Sequence, residues 1–197
     1  MGRWQPDSRG RLQGAALALF AERGFDQTTA AEIAARAGLT ERTFFRYFAD
    51  KREVLFGGSD LLKDRIVSGV AGAPAADGPL DAVVRGLTAT ATMVGEFRKD
   101  LSRQRQAVIA ANPELRERDL AKVADYAAAV AGVLRERGVG EPQATIAAEA
   151  GMTVLRVALE AWASEHDDRD LVTIIKQAAA ELQAVAAWPP PARGTSG

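Results

Sequence analysis

The stretch from Thr29 to Arg46 constrains the fold more tightly than any other part of the chain. Thr29-Ala-Ala-Glu32 is a capping box: the threonine hydroxyl accepts from the amide three residues on, and Glu32 reaches back to the amide of the cap. The helix it opens must be short, because Ala37-Gly38 follows soon after. Thr40 then opens another short helix that carries Phe44. Helices over 29–36 and 40–46, joined through Ala37-Gly38-Leu39, have the tight glycine-containing turn of a helix-turn-helix. Ile33, Leu39, Phe44 and Phe48 are expected to pack inward with Phe20, Phe25 and Leu55. Ala34 and Ala35 are small where the helices approach.

Helical spacing recurs along the rest of the chain and strand-like alternation is scarce, so the expected fold is all-α with about nine helices. Leu12, Ala15, Ala16, Leu19 and Phe20 mark a first helix from near Ser8 to Arg23, ended by Gly24. Asp50-Lys-Arg-Glu53 reads as a second capping box. It opens a fourth helix, expected to run unbroken to about Val70. Residues 71–79, rich in Gly and Pro, are a break. Pro79 suits the first position of a fifth helix to about Phe97. A sixth is expected over Lys99–Ala111, a seventh from the Asn112-Pro113 pair to Arg137, an eighth over Pro142–Ser164 and a ninth over Arg169–Trp188. The organisation expected is a helix-turn-helix domain over 1–52, a helical body over 53–188 joined through the fourth helix, and a disordered tail over 189–197 that starts with three prolines.

Composition excludes several classes. There is no cysteine, hence no disulfide framework, thiolate metal site or cysteine nucleophile. No run approaches the ~20 apolar residues of a membrane span, and the first residues lack a signal-peptide core, so no membrane partner and a cytoplasmic setting are expected. The single histidine, His166, sits in the acidic corner Ser-Glu-His-Asp-Asp and is expected at the surface. There is no nucleophile elbow, phosphate-binding glycine loop or His/carboxylate metal spacing. We therefore expect no enzyme, cofactor or metal. Net charge is −1, but residues 1–52 hold nine Lys/Arg against six Asp/Glu, which suits a module that faces phosphates.

A helix-turn-helix puts the N-terminal part of its second helix into the major groove of double-stranded DNA. Thr40, Glu41, Arg42 and Thr43 lie in that leading turn, and Arg46 continues the exposed face. The cap hydroxyls of Thr29 and Thr40 suit phosphate oxygens, and Lys51 adds a cation at a further helix start. The competing reading makes Arg42 and Arg46 solvated surface charges in a dimeric helical interaction protein without specific DNA binding.

These residues closely resemble the TetR family of bacterial regulators over about residues 8–56. The resemblance rests on Phe20-Ala-Glu-Arg-Gly-Phe25, Thr28-Thr29, Ile33-Ala34 with Ala37-Gly38, Thr40 with Thr43, Tyr47-Phe48, and Lys51 with Glu53. It implies an all-helical homodimer with two DNA-reading heads and a ligand-binding body. By analogy Thr29, Thr40, Thr43, Tyr47 and Lys51 would touch the DNA backbone. Glu41, Arg42, Phe45 and Arg46 would face base edges or adjacent phosphates. Phe45 departs from the tyrosine common in relatives, which removes a phosphate hydrogen bond but leaves contact with a thymine methyl open.

Further along, Asn112-Pro113-Glu114-Leu115 resembles a TetR subgroup whose bodies bind acyl-CoA-like ligands. Family analogy also puts the dimer interface on the last two helices. Ala150, Val154, Val157 and Ala161 form a stripe on one, and Leu171, Ile174, Ile175, Ala178, Leu182 and Val185 on the other. Either stripe could instead face its own subunit's core. Thr90, Met93, Phe97, Arg105, Tyr126, Met152 and Arg156 are candidates to line a pocket for a small apolar or amphipathic ligand. The alternative is ordinary core filling and surface pairing. Together these features predict a repressor on a palindromic operator, released when a ligand shifts the fourth helix.

Overall fold

Local signals at the helix ends dictate most of the element boundaries in the computed structural model, which describes residues 7–95, 99–164 and 169–187, with 92–95 by backbone alone. Three helices make the N-terminal head: α1 (Ser8–Arg23), α2 (Ala30–Arg36) and α3 (Glu41–Tyr47). Then come α4 (Glu53–Phe56), α5 (Ser59–Ala71), α6 (Pro79–Gly95), α7 (Lys99–Ala111), α8 (Pro113–Glu136), α9 (Gln143–Ala163) and α10 (Leu171–Ala186). The described residues are all-helical, as expected. The expected disordered tail over 189–197, Phe97 and His166 lie outside the described residues.

The fourth helix differs from expectation. It is two helices, α4 and α5, parted at Gly57-Gly58, where Gly58 takes a φ of +102° that other residues rarely adopt. Only half of the second capping box forms. Asp50 Oδ1 accepts from the amides of Arg52 at 2.7 Å and Glu53 at 3.0 Å, while the Glu53 carboxylate pairs with Arg118 of α8. Asn112 stands at the N-cap of α8 as expected, but its side-chain amide donates to Val108 O at 2.6 Å instead of capping.

Two apolar cores result. The body core gathers α5, α6, α8, α9 and α10 around Ile66, Val70, Val83, Leu87, Val130, Leu134 and Ile175. The head core contains every aromatic and aliphatic residue predicted for it: Phe20, Phe25, Ile33, Phe44, Phe48 and Leu55, with Leu39 packed against them. Ala34 is buried there, but Ala35 is exposed. The head core also extends through Val54 and Phe56 of α4 and takes in Val108 and Ile109 of α7 and Leu115 of α8.

In the body, α5 and α6 cross glycine on glycine. A Cβ on Gly69 would lie 2.7 Å from the Gly86 Cα, and one on Gly86 would lie 2.7 Å from Ile66 O. Backbone stands on both sides, so no rotamer change relieves a larger residue. Gly86→Ala is expected to lower stability by about 1–3 kcal/mol. Urea unfolding checks this; an unchanged midpoint would mean that the two helices part without cost.

Candidate nucleic-acid interface

The turn between α2 and α3 forms as the sequence requires. Gly38 has φ +65°, and the amides of Gly38 and Leu39 close α2 on Ala35 O at 2.9 Å and Ala34 O at 2.8 Å. The capping box of α2 is complete: Thr29 N donates to Glu32 Oε2 at 2.9 Å and Glu32 N to Thr29 Oγ1 at 3.2 Å. The Thr29 amide and hydroxyl, with Arg23 at 3.0 Å, hold the Glu32 carboxyl below the usual carboxylate range. Thr40 Oγ1 accepts from Thr43 N at 3.2 Å, and the two hydroxyls lie 3.0 Å apart.

The register of α3 separates its faces. Phe44 is completely buried and Phe48 follows it inward, fixing the helix against the head core. Phe45 meets Phe44 edge-on at 5.4 Å between ring centroids yet stays 52% exposed. Glu41, Arg42, Arg46 and Tyr47 share the exposed side. The Arg46 guanidinium lies 5.0 Å from the Tyr47 ring centroid, and Arg42 and Glu41 make no ion pair among the described residues. A half-exposed aromatic ring beside two guanidinium groups and two threonine hydroxyls is a surface matched to an anionic, edge-bearing partner.

Lys51 stands apart from this face. It precedes α4, and its Nζ donates to the carbonyls of Phe25 at 2.8 Å, Thr28 at 3.2 Å and Asp26 at 3.3 Å. Its neighbour Asp50 experiences opposing effects. Burial disfavours its charge, but Arg52 at 2.9 Å and two amides outweigh that and hold the carboxyl below its ordinary range.

Behind the head lies a polar seam that includes Arg105 and Tyr126, two of the pocket candidates. Gln13 Nε2 donates to Gly57 O at 2.9 Å and Val54 O at 3.3 Å. Arg105 Nε donates to Leu55 O at 2.7 Å and its Nη2 to Asp119 at 3.0 Å. The cationic groups of Arg105, Lys122 and Arg118 lie 5.3, 5.9 and 6.0 Å from the Phe56 ring centroid. Tyr126 donates to Ser59 O at 3.0 Å, and burial pushes its phenol up.

The residues proposed for a ligand pocket therefore divide. Thr90, Tyr126 and Met152 are buried in the body, with the Thr90 hydroxyl bonded back to Gly86 O at 2.9 Å. Arg105 belongs to the seam. Arg156 is directed to solvent, paired with Glu160 at 3.0 Å one turn along α9. The side chains of Met93 and Phe97 lie outside the described residues.

The proposed interface residues divide too. Val154, Val157, Ala161, Ile174, Ala178, Leu182 and Val185 line one open groove of about 310 Å³ between α9 and α10. Val157 and Val185 are exposed along it. Leu171 and Ile175 lie outside the groove, buried in their own subunit's core; Val154 and Ile174, at the groove's floor, belong to that core too, and Ala150 is half-buried outside the groove.

Fold and site together define a helix-turn-helix transcriptional regulator with a separate helical body. Residues 14–56 match the bacterial regulatory proteins of the tetR family, and residues 77–187, more than half of the chain, match the MftR C-terminal domain. The chain belongs to the TetR family. It is 27% identical over 177 residues to MftR of Mycobacterium tuberculosis, which is provisionally assigned to regulation of mycofactocin biosynthesis; the match covers 86% of this chain and 84% of MftR. It is 34% identical over 98 residues to the HTH-type transcriptional regulator TcmR of Streptomyces glaucescens, a match that covers 50% of this chain but only 39% of TcmR. Among solved structures, the repressor FadR of Thermus thermophilus, in complex with lauroyl-CoA, has a TM-score of 0.53 and 26% identity over 94% of this chain and 99% of that one.

The lowered carboxyl of Asp50 predicts a pH dependence. Its folded pKa lies below its unfolded one, so its contribution is present above the ordinary value of about 4 and is lost as pH falls through the folded value. Asp50→Asn should lower Tm near neutral pH, with the gap from the natural protein closing below about pH 4. A gap that stays constant into acid would show that the ionised carboxylate contributes nothing.

Proposed function

We propose that the protein is a homodimeric repressor that binds a palindromic operator and is released from it by a small apolar or amphipathic ligand. The observation that carries this is the exposed face of α3. Arg42, Arg46 and Phe45 are held outward by the burial of Phe44 and Phe48, beside the hydroxyls of Thr40 and Thr43. In this reading Glu41, Arg42, Phe45 and Arg46 face base edges in the major groove, and Thr29, Thr40, Thr43 and Tyr47 touch the backbone. The groove between α9 and α10 receives the same groove of a second copy, which closes a four-helix interface about a two-fold axis. Two heads then meet successive major grooves one helical turn apart. The ligand enters the body near Thr90, Tyr126 and Met152. Its likeness to a regulator crystallised with lauroyl-CoA favours an acyl-CoA-like molecule. Ligand that prefers the DNA-incompetent state weakens operator binding by linkage.

Selection of bound duplexes from a random library tests the reading. It should recover a palindrome with half-sites one helical turn apart; recovery of no motif by folded dimer would sink it. On the recovered operator, Arg42→Ala should cost about 1–3 kcal/mol and relax base preference at one position of each half-site. Equal affinity for both proteins would remove Arg42 from the reading face. Val157→Glu should give a folded monomer by sedimentation, and a persistent dimer would move the interface elsewhere. Lauroyl-CoA should release the operator in a mobility-shift titration; retention up to saturating concentrations would exclude that ligand class.

A further inference from the structure

Three carbonyl oxygens converge on the ammonium of Lys51, and an ammonium has three protons to give. The Phe25 ring adds a fourth contact, its centroid 4.3 Å from Nζ. All of these partners belong to one loop, residues 25–28, which connects α1 to α2. Phe25 and Thr28 anchor that loop from within: both are buried, and the Thr28 hydroxyl donates to Gly24 O at 2.9 Å. Lys51 lies on the far side of α3, just ahead of α4. A single cation thus ties the entry of α2 to the exit of α3.

We propose that Lys51 is a positioning residue, which acts on DNA by seating α2 and α3 as one unit and not by touching a phosphate. This rests on the reading of the head as DNA-binding and assigns Lys51 a different role from that of Arg42 or Thr40. The donors are already committed. Turning Nζ towards a phosphate would strip three carbonyls of their shared partner, two of them in residues whose side chains are buried. The chemistry also separates lysine from arginine here. A compact ammonium can sit at the meeting point of three carbonyls, whereas a planar guanidinium spreads its donors across a fork.

Lys51→Met and Lys51→Arg test the proposal in the full-length protein. A positioning role predicts that both variants lose affinity for the selected operator by about tenfold, the scale of a lost set of charge-assisted hydrogen bonds. The slope of log K against log salt should stay at the natural value in both. A phosphate contact predicts the reverse: Lys51→Arg keeps affinity and slope, while Lys51→Met loses about 0.9 from the slope. That pattern would overturn the proposal. Hydrogen exchange of the free protein supplies a readout without DNA, so it stands apart from the reading of the head. Amides of residues 25–32 should exchange about tenfold faster in both variants, and unchanged protection there would overturn the proposal as well. If Lys51→Met fails to fold, Lys51→Gln, which retains one amide donor group, takes its place in both measurements.

Discussion

The head depends on residues it does not own. Three short helices supply Phe20, Phe25, Ile33, Phe44 and Phe48, but their core is closed by Val108 and Ile109 of α7 and Leu115 of α8. Apolar surface of this kind is worth about 25 cal/mol per Å² buried, so its loss on separation would be felt by both parts. Polar contacts fix the same seam in direction. Arg105 reaches the main chain of α4 at Leu55 O, and Arg118 pairs with Glu53. A displacement of α7 or α8 cannot occur without disturbing those contacts.

This changes how a body could act on a head. An unbroken helix from Asp50 to Val70 would be a rigid lever between the two. The structure has a glycine joint instead, with α4 packed into the head and α5 into the body. Movement of α5 alone can be absorbed at Gly57-Gly58, whereas movement of α7 or α8 bears on the carbonyl of Leu55 and the ring of Phe56. The body thus touches the head through the seam as well as along the chain.

What the sequence made legible is what depends on neighbours in the chain. The capping box at Thr29, the turn at Gly38 and the inward register of Phe44 and Phe48 follow from spacing within a few residues, and all are present. Gly57-Gly58 is visible in the sequence, but helical periodicity resumes beyond it, so spacing alone does not mark a break there. The seam was not legible. Gln13, Arg105 and Arg118 bond groups 41 to 65 positions away, three of those partners being main-chain carbonyls, which leave no mark in a residue pattern. Lys51 was legible as a cation in the right place, but not as one whose protons were already taken. The stripes of α9 and α10 were half legible. Periodicity marks apolar positions without saying which core they serve, so Leu171 and Ile175, which face inward, looked the same as Val157 and Val185, which do not.

On the proposed reading, the exposed face of α3 meets base edges in the major groove, once in each of two half-sites. Guanine N7 methylation interference on the selected duplex tests it most directly, because that atom lies on the major-groove floor. Interference is expected at guanines in two clusters one helical turn apart, with Arg42→Ala losing sensitivity at one guanine in each. Binding that is indifferent to N7 methylation throughout a guanine-containing site would contradict it and leave α3 without its proposed role.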